Sequence, residues 1–201
     1  MEKVAGRPVR VFLVSSHPVQ YAAPLFRRYA ADPRLDVTVA YCSLQGAEPG
    51  VDPEFGVEVA WDVPLLDGYP WVHPPNRALW PSLRGFWGLV NPGLWRTVVR
   101  GDFDIVVCYG YRALSFWIAA LAAKVSGAAL VLTTDAHTLG PRDGARWKVP
   151  VKRLVLPWVF RLADAARISA TTPFPRRDRA SIALAFRTSG RAARPSASNF
   201  T

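Results

Sequence analysis

Cysteine is nearly missing from this sequence: Cys42 and Cys108 are the only two in 201 residues. Each ends a strand-like run and neither has a metal-ligating neighbour at close spacing, which argues against a disulfide scaffold and a zinc ribbon. Two buried, reduced thiols in a cytoplasmic protein fit this usage. Long apolar runs are also lacking. The longest helical one, Ala113 to Ala123, falls short of the roughly 20 residues that span a bilayer. "MEKVAGRPVRVFLVSS" has neither the apolar core nor the small-residue cleavage site of a signal peptide. The expected location is the cytoplasm, at most peripherally at the inner face of the membrane. Phosphate-binding glycine patterns are missing too: there is no Walker motif, no dinucleotide fingerprint and no nucleophile elbow.

Acidic residues are scarce, 15 against 25 Lys and Arg, for a formal charge of +10. More than half of that excess sits from Arg167 to Thr201, where seven arginines face one aspartate. The body of the chain is therefore only mildly basic, and nucleic acid is not expected as a partner. What remains is globular composition, half hydrophobic and one fifth charged, enough for one domain with a sizeable core.

The body alternates strand-like and helix-like segments, which predicts an α/β fold: a Rossmann-like parallel sheet with helices on both faces. Val9 to Ser15 is a nearly continuous apolar run, as a central parallel strand requires. Pro24 suits the first turn of a helix, with Leu25 and Tyr29 facing inward and Arg27 and Arg28 in water. Leu35 to Cys42 alternates with period two. Between Gly46 and Trp95 the text turns to Pro, Gly and aromatics, with one strand candidate at Val57 to Val63. Regularity returns with a short helix at Trp95 to Arg100, a strand at "DIVVCYG" and a helix from Arg112 to Ser126. That helix carries Leu114, Trp117, Ile118, Leu121, Ala122 and Val125 at helical spacing and Gly127 as its cap. "AALVLTTDAHTLG" reads as a strand and loop, Val151 to Leu162 as a basic amphipathic helix kinked at Pro157, and "DAARISA" as one more strand. Residues 1–170 are thus read as one domain, and 171–201, rich in Arg, Ala, Ser and Pro, as a poorly ordered basic tail.

Ligands of open α/β sheets bind outside the carboxyl ends of the strands. Three loops there hold unusual polar residues: Ser15 to Tyr21, Tyr109 to Arg112 and Thr133 to His137. His17 precedes Pro18, which places it in extended or turn geometry. Its imidazole and the Gln20 amide can each donate to or accept from a sugar hydroxyl; the alternative is a residue that fastens the start of the helix to nearby backbone. Asp135 and His137 are two apart, so both side chains can converge on a ligand, the carboxylate raising the basicity of the imidazole. They can equally cap a helix, and no third ligand at motif spacing supports a metal. The helix beginning in "GYRALSFWIAALAA" offers N-terminal amides to an anion. His73, in the Pro-rich stretch, reads as structural.

The run "SSHPVQYAAPLFRRYAADPRLDVTVAYCS", continued by "DPEFGVEVAWDVPLLDGYPW", closely resembles the N-terminal half of a subgroup of bacterial family 4 glycosyltransferases. His17-Pro18, Gln20-Tyr21, Pro24-Leu25 and Trp61-Asp62 stand in the order and spacing of that family, and "TTDAHTLG" and the basic helix before "RLADA" are similar to it as well. The resemblance spans about Val9 to Ala166. It implies the GT-B arrangement, two Rossmann-like domains across a cleft, with the acceptor on the N-terminal one. It also implies a retaining transfer from a nucleotide-sugar co-substrate to a glycan or lipid-linked acceptor, with no metal and no other cofactor. Under it, His17, Gln20, Tyr21, Tyr109 and Tyr111 bind substrate, while Asp135 and His137 orient the reactants or stabilise charge.

The donor-binding C-terminal domain of that family has no counterpart in these 201 residues, so the expectation is an acceptor-binding half, inactive alone, with the reading frame shifted near Ala166. The alternative is a non-catalytic binding subunit that docks a separate donor-domain chain or an anionic membrane. The basic helix 146–161, with Trp147 and Trp158 among its cations, can lie on such a bilayer as a peripheral contact or pack its apolar stripe on the sheet. A free-standing nucleotide-binding enzyme is a third reading, weakened by the missing glycines.

Overall fold

The first strand, β1 (Val9–Ser15), shows why the sheet is central: from Val11 onward every residue is buried. Val11 and Leu13 point to one face and Phe12 and Val14 to the other, each face belonging to a different apolar cluster. A strand covered on both sides must be apolar at successive positions, since each fully buried side chain of this kind contributes about 2 kcal/mol. The computed structural model describes residues 7–47, 50–51, 58–59, 64–134 and 163–168.

Along the chain follow α1 (Ala23–Ala30), β2 (Leu35–Tyr41), β3 (Gly50–Val51), β4 (Glu58–Val59), β5 (Trp71–Val72), α2 (Gly93–Arg100), β6 (Ile105–Tyr109), α3 (Leu114–Ser126), β7 (Ala129–Thr134) and β8 (Ala165–Ile168). Six of the strands form one sheet in the order β5-β2-β1-β6-β7-β8, every pairing parallel. Counted within that sheet the order is 3-2-1-4-5-6, the doubly wound arrangement. The expected α/β, Rossmann-like fold is what the chain adopts. One face is covered by α1, through Ala22, Ala23 and Phe26 against Val37, Val39 and Tyr41. The other is covered by α2 and α3, through Leu94, Val98, Phe116 and Ala119 against Val106, Cys108 and Leu130.

Strand ranges read from the sequence agree closely with the structure, β1 residue for residue and β2 but for Cys42, which lies just past its end. β5 was not foreseen. It is two residues long, follows Pro70 and precedes Pro74, and extends the sheet edge by pairing with Val39 and Ala40. The strand candidate Val57 to Val63 is described only at β4, which pairs antiparallel with β3 outside the main sheet. The helix at 151–162 and the tail at 171–201 lie outside the described residues.

Two helix faces differ from the reading. In α1 the inward residue is Phe26, fully buried edge-on against Tyr69 and Tyr109 at 5.7 and 5.6 Å, with Tyr29 partly buried and Leu25 exposed. Arg27 is not simply in water, because its guanidinium donates to the carbonyls of Pro64 and Asp67 and ties α1 to the segment before β5.

In α3 the buried residues are Ser115, Phe116, Ala119, Ala120, Ala122 and Ala123, whereas Leu121 and Val125 are exposed. The helix packs on the sheet and on α2 at once, and small side chains let it approach both closely. Periodicity marks apolar positions but does not rank them by volume, so the larger residues misled. Gly127 closes α3 in the left-handed region at φ +81°, as the sequence suggested.

Candidate functional site at the carboxyl edge

Strand order reverses between β1 and β6, since β2 and β5 follow on one side of β1 and β6, β7 and β8 on the other. The crevice at such a reversal is where doubly wound folds bind ligands. Here its walls are residues 16–22 after β1 and 110–113 after β6.

The first wall is a compact turn. Ser15 donates its hydroxyl to the His17 carbonyl at 3.0 Å, and the Ser16 hydroxyl lies 2.9 Å from His17 Nδ1, so the imidazole is oriented by its neighbour. Pro18 is buried, and the amides of Ala22 and Ala23 donate to the Val19 carbonyl at 3.1 and 3.3 Å. The backbone of β2 continues to support the turn: Cys42 and Ser43 amides donate to the Ser15 and Ser16 carbonyls, both at 2.9 Å. Gln20 and Tyr21 are held at the outer side, with Tyr21 76% exposed. A tyrosine so exposed on a fastened turn is accessible to a ligand.

In the second wall, Gly110 has φ +131°, and a Cβ there would come within 3.3 Å of the Phe116 ring. The chain turns at this glycine, and the two tyrosines around it part company. Tyr109 packs on the α1 side against Phe26, whereas Tyr111 packs on the α3 side, where its carbonyl accepts from Trp117 Nε1 at 3.0 Å. Sequence reasoning grouped Tyr109 and Tyr111, but they serve opposite faces of the sheet. Burial raises the Tyr111 phenol above its usual range, nearby Arg112 opposing, so the hydroxyl stays neutral. The recess beside it, lined by Gly110, Phe116, Trp117 and Leu132 among others, is apolar and holds no more than about one water.

The proposed anion site at the start of α3 does not form. Leu114 and Ser115 amides donate to the Phe86 and Leu89 carbonyls at 2.9 and 3.2 Å, and the Phe116 amide to Ala113 at 3.1 Å. The donors a phosphate would need are spent on the protein's own backbone. At the start of α1, Pro24 has no amide and Ala23 has already spent its own. Neither helix beginning at this crevice is built for a diphosphate.

A scaffold that sequence reasoning missed holds the crevice open. Asn91, fully buried, donates through Nδ2 to the Cys42 and Pro74 carbonyls at 3.0 and 2.6 Å, and accepts from the Ser115 hydroxyl at 2.7 Å. Its own amide donates to the Ser115 oxygen at 3.0 Å. One side chain thus joins the end of β2, the Pro-rich segment and the start of α3. A buried asparagine is ordinary in a sequence; only its four hydrogen bonds to three residues reveal it. His73 is structural as expected, with Nδ1 donating to the Tyr41 carbonyl at 2.8 Å. Both cysteines are buried, and burial pushes the Cys42 thiol up to about 12, which leaves no thiolate for chemistry at neutral pH.

Asp135 and His137 lie outside the described residues, so nothing is added to the reading of that pair; β7 leads up to them, ending at Thr134. Among the described residues no three His, Cys, Asp or Glu side chains gather in a way that could hold a metal, and no helix is long and apolar enough to cross a membrane. No protein-family model matches the chain, and no curated protein matches it significantly.

Proposed function

We propose that this chain is the acceptor-binding side of a retaining glycosyltransferase, holding a glycan or lipid-linked acceptor while a sugar is transferred from a nucleotide-sugar donor. The resemblance of the first strand, turn and helix to family 4 motivates the reading. The observation that carries it is the chemistry of the turn at the strand-order reversal. His17, Gln20 and Tyr21 offer imidazole, amide and phenol to a hydroxyl-rich ligand, while the helix beginnings beside them have most of their first amides engaged or absent.

Under this reading the donor diphosphate binds elsewhere in the complete enzyme, and catalysis by this surface is positioning. The acceptor hydroxyl is held at the reacting carbon, and a leaving-phosphate oxygen takes its proton. Asp135 and His137 orient the reactants or stabilise the developing charge.

The test is binding by the chain itself, on an array of immobilised mono- and oligosaccharides and by calorimetry with UDP-glucose and GDP-mannose. Saccharide capture that falls about tenfold in His17→Ala or Tyr21→Ala, with no measurable donor binding, is expected. Micromolar binding of either nucleotide sugar, or capture indifferent to both substitutions, would overturn the reading.

A further inference from the structure

Between Gly68 and Gly101 the sequence has no acidic residue, four arginines and four of the chain's eight tryptophans. Part of this stretch is a closed loop after β5. Its neck is drawn together by the Arg77 amide donating to the Val90 carbonyl at 2.7 Å, and by Asn76. The Asn76 side chain donates to the Gly88 carbonyl at 3.0 Å and accepts from the Ala78 and Val90 amides at 3.1 and 2.8 Å. The Ser82 amide donates to the Gly88 carbonyl at 3.0 Å and the Ser82 hydroxyl accepts from the Arg84 amide, also at 3.0 Å. A side chain at Gly88 would run into the Ser82 carbonyl at 2.2 Å, so the two limbs pass at backbone contact.

This firmly tied loop turns its apolar residues outward. Leu79 is 85% exposed, Trp80 82% and Trp87 70%, with Phe86 edge-on to Trp87 at 5.1 Å. Exposing these side chains to water is unfavourable, and a loop with this many backbone ties does not expose them through slackness.

We propose that the loop 77–87 is a docking surface for an anionic lipid bilayer. Tryptophan rings combine an apolar body with one N–H and settle at the level of lipid headgroups, and arginine is attracted to anionic ones. Arg77 and Arg84 flank the exposed rings, and no carboxylate in the stretch opposes them. The loop's amide and hydroxyl side chains, Asn76 and Ser82, are turned onto its own backbone. It therefore presents rings and guanidiniums to a partner without the polar set a saccharide platform uses. It also sits beside the crevice, since the Phe86 carbonyl accepts from the first amide of α3. The bilayer would thus lie next to the candidate site. The proposal draws on none of the residues 146–161 and stands whether or not the chain binds a sugar acceptor.

The experiment is sedimentation of the full chain with sucrose-loaded vesicles of phosphatidylcholine alone or with three parts in ten phosphatidylglycerol. The expected result is binding to the anionic vesicles that weakens steeply with salt. Trp80→Ser/Trp87→Ser should lower partitioning about tenfold or more with an unchanged circular dichroism spectrum and Tm. Arg77→Gln/Arg84→Gln should remove the preference for anionic lipid. Brominated lipid should quench the wild-type fluorescence and not that of the double tryptophan variant. Absence of vesicle binding overturns the proposal, and so does binding that the loop variants leave unchanged, which would assign the contact to another element such as 146–161. Loss of saccharide capture in the tryptophan variant with vesicle binding intact would make the loop a sugar platform and equally refute it.

Discussion

The two edges of the sheet are stabilised by different chemistry. At the amino edge stand the carboxylates described around the six-stranded sheet, Asp32, Asp36, Asp67, Asp102, Asp104 and Asp164, at or just before the starts of strands. Four cations pair with five of them: Arg7 with Asp104 at 2.7 Å, Arg10 with Asp36 and Asp102 at 3.5 and 3.4 Å, Arg34 with Asp32 at 2.7 Å and Lys124 with Asp164 at 2.6 Å. At the carboxyl edge the ties among the described residues are neutral: backbone pairs between the turns after β1 and β2, the buried Asn91–Ser115 pair, and tyrosine and histidine hydrogen bonds. An edge held by charges already paired offers little to a ligand. One held by neutral bonds leaves His17, Gln20 and Tyr21 as its outward chemistry.

That contrast can be broken deliberately. The largest effect belongs to Asn91→Ala, which strands the Cys42 and Pro74 carbonyls and the Ser115 hydroxyl in a buried place. A loss of about 3 kcal/mol is expected in urea denaturation, equal at low and high salt. Asp104→Ala removes the acceptor of both the Arg7 guanidinium and the Arg10 amide, at 2.7 and 2.8 Å. The pair is partly exposed, so about 1 kcal/mol is expected, shrinking as salt is raised. If instead Asn91→Ala were salt-dependent and Asp104→Ala not, the division of the two edges would fail.

pH sharpens the same comparison. The Arg34 guanidinium and amide hold the Asp32 carboxyl at about 2, below its unfolded value near 3.9. A depressed carboxyl stabilises the fold above the unfolded value and loses that contribution as pH falls through the folded one. Tm should therefore drop between about pH 5 and pH 2, and less steeply in Asp32→Asn. Asp164 acts in the same direction: burial works against its charge, but the Lys124 ammonium and the Leu130 amide overcome this and hold it below the usual range. The smallest effect is expected from Tyr21→Ala, within about 0.5 kcal/mol of wild type in the same denaturation assay, because the ring is 76% exposed and little of its surface leaves water on folding. A larger loss would make Tyr21 structural and remove it from the candidate site.

Much of this was legible beforehand, for identifiable reasons. β1 and β2 were readable because a strand buried on two faces, or alternating between them, leaves its pattern in consecutive residues. The cap at Gly127 was readable because few other residues tolerate its backbone angle. The crevice loops were readable once strand ends were placed, since doubly wound sheets bind ligands there. The inward faces of α1 and α3 were only partly so, because the choice between Leu25 and Phe26, or between Leu121 and Ala120, depends on how closely a helix approaches the sheet and its neighbour.

The amino-acid sequence by itself determined that this chain makes a parallel α/β sheet and which loops end its strands, because hydrophobic periodicity and backbone preference act over a few neighbouring residues. Only the tertiary structure decided that Tyr109 and Tyr111 serve opposite faces, that the α3 amides are already engaged by Phe86 and Leu89, and that Asn91 joins three distant segments. Such contacts link residues tens of positions apart. They exist only after the chain has folded.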